Sequence, residues 1–478
     1  MKISVAGIGH VGLTTAACLA HIGHHVVGVD DDAAKVTAVA SGSIPFHEPG
    51  LSELVREGLD TGRLRISRDA ADASRHGEVF FVCVGTPTDS CGEANLAQVE
   101  RVGRAFARDL RGYAVVVEKS TVPVETGVWL KRIMQEENHS RVEFDVAANP
   151  EFLREGQAVR DSLEPDRIVI GVTSDRAADR LREVYRPILD RTGCPLIVTD
   201  IATAELIKHS ANAFLAMKIS FINAVADVCE RTGADVETVA HAMGLDPRIG
   251  ASFLRAGIGY GGECFPKDVR AYLHKADQLG TEFSMLRAVE RVNSQRIDAF
   301  VEKIRSVTRP LAGARIGLWG LSFKPETDDL RNAPALLVAG RLVEEGADVV
   351  AHDPVAMPAA RAVLRKVSFA DDPYDAARGA ECLAVCTEWP EYASADLSRL
   401  RSVMARPVVV DGRNVFRPGA MAEAGFLYAS TGRPVAGDVG ERVEWSPSPH
   451  PARRSKGRVS TPPARGASRS SDPPLLTG

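Results

Sequence analysis

The stretch GGECFPKD places a cysteine, Cys264, between a pair of glycines and a Pro-Lys-Asp, with Gly259 shortly before it. The glycines let a ligand or another backbone segment approach the thiol closely. Lys267 brings a positive charge that favours the thiolate, and Asp268 follows one helical turn later, where it can activate water. A structural thiol does not need this arrangement, and a metal site would need further ligands nearby. We therefore predict a catalytic cysteine.

Lys208 and Asn212 stand four residues apart in a segment with a helical pattern. Residues at this spacing share one face of a helix. A lysine and an asparagine that face inward can stabilise a developing oxyanion. The alternative is the solvated edge of a helix.

Near the N-terminus, GIGHVG follows an apolar strand pattern and opens a helical one. Gly7 permits a tight turn, Gly9 lets the backbone approach a pyrophosphate, and Gly12 allows the helix to pack closely on the strand. Asp30 ends the next strand, where it can bind ribose hydroxyls and repel a 2′-phosphate. This pattern predicts NAD rather than NADP, with the two aspartates after Asp30 as alternatives for the same role.

Three further strand ends carry polar groups: VGTP with Gly85 and Thr86, STVP with Thr121, and NPEFLREG with Glu151 and Glu155. Ligands of open α/β sheets bind outside the carboxyl ends of the strands. Each stretch alone is compatible with ordinary turn chemistry. Together they predict a lined crevice.

A last strand end, GLSFKPETDDLR, offers Phe323 for stacking, and Lys324 and Arg331 for neutralising an anion. The alternative is a charged surface loop.

Short apolar runs alternate with helical patterns up to about residue 200 and again from residue 314. Between them, residues 202–231 contain no proline or glycine and have an apolar face, which predicts a long helix ending at Gly233. We predict an α/β protein with two Rossmann-like parallel-sheet domains joined by a long central helix, followed by a disordered C-terminal tail. The predicted boundaries are 1–200, 201–305, 306–435 and 436–478. A helix this long and apolar predicts a homodimer that packs it against its own copy.

The composition is that of a globular protein: 478 residues, 45% hydrophobic, 25% charged, with a net charge of -5. This charge gives no reason to expect nucleic acid as a partner. Neither a membrane span of roughly 18 apolar residues nor a secretion signal is recognisable, so we expect a cytoplasmic protein. The eight cysteines are scattered without a CxxC pair, so neither disulfides nor a metal site are expected.

Seven motifs occur in a fixed order from Met1 to about Gly432: GIGHVG, VGTP, STVP, NPEFLREG, ELIKHSANAFLAMKISFIN, RIGASFLRAGIGYGGECFPKD and GLSFKPETDDLRNAP. In these motifs the chain resembles the UDP-glucose/GDP-mannose dehydrogenases, most closely the glucose branch. The resemblance implies oxidation of UDP-glucose at C6 to UDP-glucuronate, with two NAD and one water, through a covalent intermediate on the cysteine. GDP-mannose is the second choice of substrate and a UDP-N-acetylhexosamine the third.

The resemblance also implies roles for individual residues. The implied catalytic residues are Cys264, Lys208, Asn212, Asp268, Thr121 and Glu155, the last as a general base for hydrolysis. The implied cofactor contacts are Gly7, Gly9, His10, Val11, Gly12, Asp30, Lys35, Gly85, Thr86, Thr121, Glu155, Lys267 and Arg331. The implied substrate contacts are Glu151, Phe152, Leu153, Lys208, Asn212, Arg248, Phe253, Tyr260, Gly261, Phe265, Phe323 and Lys324. Arg248 would reach across a dimer interface, and residues 306–435 would bind the UDP-sugar.

The chain departs from the family pattern at two positions, with Ala333 where serine is common and Cys91 where an acid is common. Both departures concern cofactor contacts. Three other functions compete with the one implied. A two-electron dehydrogenase has no use for the thiol, and a nucleotide-sugar sensor would have lost catalytic residues. A redox-sensing thiol protein needs a second, resolving cysteine.

Overall fold

The computed structural model describes residues 1–89, 92–308 and 310–438. These residues form two β-sheets, with long helices between them in the sequence. This is the predicted architecture of two Rossmann-like sheets and a central helix. Cys91 and residues 439–478, which make up nearly all of the predicted tail, lie outside the described residues.

The described residues form fourteen strands. They are β1 (Lys2–Ala6), β2 (His25–Val29), β3 (Leu64–Ser67), β4 (Val79–Val82), β5 (Ala114–Glu118), β6 (Phe144–Ala148), β7 (Ile168–Gly171), β8 (Leu196–Thr199), β9 (Arg315–Trp319), β10 (Asp348–His352), β11 (Ser368–Phe369), β12 (Cys382–Val385), β13 (Val408–Asp411) and β14 (Leu427–Ser430).

The same residues form eighteen helices. They are α1 (His10–His21), α2 (Ala33–Ala40), α3 (Leu51–Asp60), α4 (Ala70–His76), α5 (Ala97–Arg108), α6 (Thr126–Glu137), α7 (Ala158–Leu163), α8 (Asp175–Thr192), α9 (Ile201–Thr232), α10 (Val236–Gly244), α11 (Cys264–Gln278), α12 (Ser284–Val307), α13 (Pro334–Glu344), α14 (Met357–Val363), α15 (Pro373–Ala377), α16 (Pro390–Ala393), α17 (Leu397–Val403) and α18 (Pro418–Glu423).

Both faces of the first sheet are covered by helices. In β5, Val115 and Val117 pack into an apolar cluster with α1 and α8, whereas Val116 packs into another with α5 and α6. Because side chains alternate along a strand, burial of both faces requires the continuous apolar run that the sequence shows.

The first sheet has the order β3-β2-β1-β4-β5-β6-β7-β8, and the second has β11-β10-β9-β12-β13-β14. The second sheet is parallel throughout. In the first sheet, however, β7 pairs with β6 antiparallel, so the predicted parallel sheet holds only up to β6. The carboxyl ends of β1, β4, β5 and β6 lie at one edge, and the predicted ligand loops follow these ends.

Helix α9 is the predicted central helix. The Asp200 side chain caps its first turn, and Gly233 ends it in the left-handed conformation with φ 74°. By length and mean hydropathy, 1.3 over 18 residues, α9 could cross a bilayer, which the sequence analysis did not anticipate. Such a match is weak evidence for a span, since buried residues recur along α9 and it packs against α11 and α12.

Candidate active site

Cys264 is the first residue of α11, at the end of the glycine-rich loop. Gly262 makes the turn into this helix with φ +78°, and a Cβ at Gly262 would lie 3.0 Å from the Phe323 ring. Glycine is therefore needed here both for its conformation and for the close approach of the aromatic ring. The cysteine itself is exposed.

The surroundings of Cys264 favour the protonated thiol over the thiolate. Burial against the walls of the cleft raises its pKa to about 12, and the carboxylates of Glu151 and Asp268 add to this rise, while Lys208 opposes it. The sequence predicts that Lys267 favours the thiolate. In the structure its ammonium instead donates to Asp268 Oδ1 at 2.7 Å, so this prediction is wrong. The thiol therefore has to give its proton to a base before or during its attack.

Lys208 and Asn212 project from α9 into the site and are both buried. Lys208 Nζ donates to Glu151 Oε1 at 2.8 Å, and Asn212 Nδ2 donates to Asp268 Oδ2 at 2.5 Å. The alternative of a solvated helix edge is therefore wrong. Each of the two α9 side chains is paired with a carboxylate, Glu151 or Asp268, and both carboxylates act on Cys264.

The surroundings of Lys208 and Asp268 favour the charged form of both side chains. Burial acts to lower the pKa of Lys208, but the carboxylates of Glu151 and Asp268 outweigh it, and the pKa is raised. Burial acts to raise the pKa of Asp268, but the ammonium groups of Lys267 and Lys208 outweigh it, and the pKa is lowered. The site thus holds a fixed cation and an amide donor beside the thiol, as an oxyanion site requires.

Glu155 lies in the NPEFLREG loop, where it contacts Thr327 in the loop that follows β9. Burial raises the pKa of Glu155 to about 6 and the charge of Asp329 adds to the rise, while His10, Arg331 and Lys324 oppose it. Arg331 Nη2 lies 3.4 Å from Glu155 Oε1. A carboxyl with this pKa is suited to accept a proton near neutral pH.

The glycine loop has the geometry expected of a dinucleotide cradle. Gly7 has φ +86°, and a Cβ there would lie 2.7 Å from the carbonyl oxygen of Cys83. A Cβ at Gly12 would lie 1.7 Å from the carbonyl oxygen of Gly7, whereas the space beside Gly9 is open. Val11 and His10 begin α1 behind this loop, so the open space lies at a helix N-terminus, where a pyrophosphate binds favourably.

Asp30 follows β2 and supports the glycine loop. Its carboxylate accepts from the backbone of Ile8 at 2.9 Å and of Asp32 at 3.0 Å, and Lys35 Nζ donates to it at 2.9 Å. Partial burial acts to raise the pKa of Asp30, but these donors outweigh it and hold the pKa low. Asp32 caps α2 with its side chain and Asp31 pairs with Arg101, so Asp30 is the best placed of the three aspartates.

A cleft of about 440 Å³ lies in front of α1, between the two sheet regions. His10, stacked on Phe46 with ring centroids 4.1 Å apart, lines one side of it, and Asp329 and Arg331 line the other. Arg331 thus lines the same cleft as His10, and its contact with the cofactor stays a prediction.

The VGTP and STVP loops are joined directly. Thr86 is buried and its Oγ1 donates to the carbonyl oxygen of Thr121 at 2.7 Å, while Ser120 Oγ donates to the carbonyl oxygen of Val84 at 2.7 Å. Gly85 lies between these contacts. Thr86 therefore has a structural contact to the next loop, in addition to the role predicted for it.

The predicted nucleotide-sugar contacts form two groups. Phe253, in the left-handed conformation with φ 66°, and Tyr260 both place their rings near Phe265, at 6.1 and 5.8 Å between centroids. Lys324 Nζ lies 5.4 Å from the Phe323 ring centre, and burial lowers its pKa although Glu155 opposes the shift.

Phe152 and Leu153 have their own surroundings. Both line a cavity of about 280 Å³ beside α1 and α7, and Phe152 lies under the guanidinium of Arg167 at 3.9 Å. The backbone N–H of Leu153 donates to Glu151 Oε2 at 2.6 Å. Their contact with a sugar stays a prediction.

Arg248 is not brought to this cleft by its own chain. Its side chain is 87% exposed and bonds to Asp246. Packing explains the glycine at position 261, since a Cβ there would lie 2.3 Å from the carbonyl oxygen of Asn332. Next to it, Ala333 precedes α13 without a side-chain cap, which the more common serine could supply.

Two functional-site residues were missed from the sequence. Glu48 is buried, accepts from the backbone of Gly156 at 2.7 Å and Ala158 at 2.8 Å, and contacts His10. Arg413 donates to the carbonyl oxygens of Gly259 at 3.0 Å and Phe323 at 3.3 Å. Arg413 follows the end of β13, so a search for polar residues just after the carboxyl ends of strands would have found it. Glu48 has no such signal.

Among the described residues, no group of three or more His, Cys, Asp or Glu side chains is placed to hold a metal ion.

Three consecutive segments match one protein family. Residues 1–189 match the NAD binding domain of the UDP-glucose/GDP-mannose dehydrogenase family, residues 202–295 its central domain, and residues 317–418 its UDP binding domain. The NAD binding domain contains the glycine loop and Asp30, so NAD is the cofactor.

Relatives and solved structures agree with this match over most of the chain. A UDP-glucose 6-dehydrogenase of Rhizobium meliloti is 45% identical over 91% of this chain and 100% of its own. UDP-glucose 6-dehydrogenase TuaD of Bacillus subtilis is 43% identical over 91% of this chain and 94% of its own. The structure of a UDP-glucose dehydrogenase from Pyrobaculum islandicum superimposes with a TM-score of 0.85 at 39% identity, covering 91% of this chain and 98% of that one. With its cysteine cleft and all three domains matched, the chain belongs to the UDP-glucose/GDP-mannose dehydrogenase family.

Proposed function

We propose that the chain oxidises UDP-glucose to UDP-glucuronate, using two NAD and one water for each sugar. The observation that carries this proposal is an exposed cysteine, Cys264, under the charges of Lys208, Glu151 and Asp268, with Lys208 bonded to Glu151 and Asn212 to Asp268. A thiol is needed only if the aldehyde has to be held for a second oxidation.

The residues of the cleft divide the reaction between them. NAD, when bound, accepts a hydride in each of the two oxidations. The Cys264 sulfur adds to the C6 aldehyde as its proton passes to a base of the site, and the C=O double bond opens to give the oxyanion of a thiohemiacetal. Lys208 and Asn212 stabilise the oxygen of this adduct. After the second oxidation, Glu155 takes a proton from the water that attacks the thioester, which releases the carboxylate and the thiol.

UDP-glucose is favoured over GDP-mannose and over UDP-N-acetylhexosamines. The last domain matches a UDP binding domain, and the relatives of 43–45% identity named above are UDP-glucose 6-dehydrogenases. By contrast, a UDP-D-ManNAc dehydrogenase structure from Pyrococcus horikoshii has 27% identity and a TM-score of 0.79.

The active form is proposed to be a homodimer built on α9. Leu206, Phe214, Phe221 and Val228 repeat at intervals of eight, seven and seven residues, so they form one stripe on α9, and each is 41–59% exposed. An exposed apolar stripe of this length is typical of an interface between proteins.

Arg248 is proposed to serve the partner's site. Lys218, on α9 beside the stripe, donates to the carbonyl oxygens of Ile249 at 3.0 Å and Gly250 at 3.1 Å. This contact holds the loop of Arg248 next to the proposed interface, with the arginine exposed.

The domain boundaries 1–200, 201–305 and 306–435 stay proposals, as does the cytoplasmic location. The cysteines that the structure describes are free thiols, and Cys264 has to remain one to react. A reducing compartment meets this requirement.

Counting NADH against sugar tests the proposal. Full-length protein with excess NAD should form two NADH for each UDP-glucose consumed, with little free aldehyde. Cys264→Ser should stop sustained turnover, because an oxygen ester is a poorer acyl donor than a thioester. Cys194→Ser, far along the sequence from the site, is the control and should behave like the unaltered protein.

One NADH per sugar, with release of the aldehyde, would refute the four-electron reaction. A higher kcat/KM for GDP-mannose would refute the choice of substrate and leave the cysteine mechanism in place.

A further inference from the structure

Glu118 is a buried carboxyl group that the reaction above does not use. It is the last residue of β5 and is 2% exposed. Within the part of the chain that the structure describes, neither of its carboxyl oxygens has a hydrogen-bond donor. The carboxyl group beside it is that of Glu205 on α9. A buried carboxyl without a donor calls for a physical explanation, since it loses its solvation by water.

Glu205 is satisfied, unlike its neighbour. Its two oxygens accept from the backbone N–H groups of Glu125 at 2.7 Å and Gly127 at 2.8 Å. These N–H groups belong to the beginning of α6, where the helix dipole favours a negative charge. A Cβ at Gly127 would lie 2.6 Å from Ile201 Cγ2, so glycine is needed for α6 to come this close to α9. Burial raises the pKa of Glu205 as well, but its backbone donors oppose this rise, so Glu205 is the better placed of the two to carry the negative charge.

Two adjacent carboxyl groups removed from water cannot both be ionised easily. Burial raises the pKa of Glu118 well above its ordinary value, and the charge of Glu205 adds to the rise. Lys119, the next residue along the chain, is a buried cation, and its ammonium donates to Asn149 Oδ1 at 3.1 Å and not to Glu118. On α6, Glu125 is neutralised by Lys275 of α11 at 2.6 Å, and on α9 burial lowers the pKa of His209, which favours its neutral form.

The pair joins the two ends of the turn that carries Thr121. We define the Thr121 turn as residues 119–125, between β5 and α6. Glu118 precedes this turn, and Glu205 binds the backbone at its end. Between these points His209 Nε2 lies 2.7 Å from the carbonyl oxygen of Val122. Glu205 and His209 are four residues apart on α9, and Lys208 lies between them.

We propose that Glu118 keeps a proton that it donates to Glu205, and that this hydrogen-bonded pair closes the Thr121 turn and positions Thr121 in the active site. Both residues are positioning residues and touch no reacting atom. The catalytic part of this inference rests on the proposed function, whereas the shared proton does not.

Two isosteric substitutions separate the roles. Glu118→Gln keeps a donor toward Glu205 and cannot ionise, so kcat at pH 7 should stay within about twofold of the unaltered protein. Glu205→Gln turns an amide N–H₂ toward backbone donors, so kcat should fall about tenfold or more, with a smaller change in KM. Glu136→Gln, on the exposed side of α6, is the matched control and should change neither quantity.

The dependence on pH tests the proton itself. Because the pKa of Glu118 is raised on folding, its contribution to stability is complete below the unfolded pKa and is lost as pH rises toward the folded pKa. In that range the ratio of the folding equilibrium constant of Glu118→Gln to that of the unaltered protein should rise about tenfold per pH unit. Chemical unfolding measured between pH 5 and 8 gives this ratio without any substrate.

A ratio that does not change with pH would overturn the shared proton, whatever the enzyme's activity. An unchanged kcat in folded Glu205→Gln would overturn the positioning of Thr121. If UDP-glucose is not a substrate at all, the proposed function fails, but the unfolding result still decides the shared proton.

Discussion

At the scale of single residues, the active site separates the groups that stay charged from the group that titrates near neutrality. Lys208 and Asp268 hold each other's charge, since the pKa of the lysine is raised and that of the aspartate is lowered. Glu155 has weaker support from cations, and burial raises its pKa to about 6. One carboxyl of the cleft can therefore exchange protons within the ordinary pH range of an enzyme.

Glu155 should set the acidic limb of the rate profile. A general base has to be ionised, so kcat should fall about tenfold for each pH unit below about 6. Glu155→Gln should lower kcat by about a hundredfold or more and remove this limb, and the thioester should accumulate during turnover. Rates from pH 5 to 8 and mass spectrometry of the quenched enzyme measure these effects. Glu164→Gln, an exposed glutamate nearby, is the control. An acidic limb that persists in Glu155→Gln would assign it to another group.

At the scale of elements, α9 has two faces with different tasks. Its buried face carries Glu205, Lys208, His209 and Asn212, all of which bond to loops or helices of the active site. Its other face carries the exposed apolar stripe. A single rigid helix thus connects the geometry of the site to the proposed interface between two copies of the chain.

Charges placed on the stripe should separate the proposed dimer. Burying a phenylalanine contributes roughly 1.5–3 kcal/mol, so Phe214→Arg together with Phe221→Arg removes apolar contacts and adds like charges across the two-fold axis. Sedimentation velocity should then show a monomer, and kcat/KM should fall because Arg248 no longer reaches the partner. Leu279→Arg, an exposed apolar residue off the stripe, should leave the dimer intact. A double variant that sediments like the unaltered protein would place the interface elsewhere.

At the scale of the whole molecule, the two Rossmann-like sheets differ in the surroundings of the aspartate that follows their second strand. Asp30 and Asp353 both follow the second strand of their sheet. The Asp30 side chain is 8% exposed, whereas Asp353 is fully buried. Its Oδ2 accepts from the backbone of Leu321 and Ser322 and from the Trp389 indole, and its Oδ1 accepts from two further backbone groups. Both oxygens of Asp353 are therefore occupied by donors of the protein itself, unlike a carboxylate that binds a ribose.

Each chain should therefore bind one NAD. Isothermal titration calorimetry with NAD should give a stoichiometry of one per chain. Asp30→Ala should weaken binding by about tenfold or more, since it removes a ribose acceptor and the support of the glycine loop. Asp31→Ala, which removes an exposed neighbouring carboxylate, is the control. A second site of similar affinity that survives Asp30→Ala would show that the second sheet still binds the dinucleotide.

The sequence by itself determined the order of the elements and the chemistry of their ends. Apolar runs such as AVVVE predict strands buried on both faces, and the buried strands β1, β4, β5 and β9 lie where predicted. The strands that were missed include β3, β8 and β11, which lie at sheet edges, are short and are partly exposed. Edge strands lack the continuous apolar run, so their pattern is weak. The glycine loop and the cysteine loop were recognisable because glycine spacing is a local property of the backbone.

Only the tertiary structure decided which charges face each other. Nothing in the spacing of Lys267 and Cys264 shows that the lysine binds Asp268 instead of favouring the thiolate. Similarly, Glu118 and Glu205 are far apart in the sequence, and each alone reads as an ordinary polar residue at the end of a strand or on a helix. The antiparallel pairing of β7 with β6 and the support that Glu48 gives to the NPEFLREG loop were also hidden. Ion pairs and carboxyl pairs depend on distances of a few ångströms between residues brought together by packing, and a linear pattern does not contain those distances.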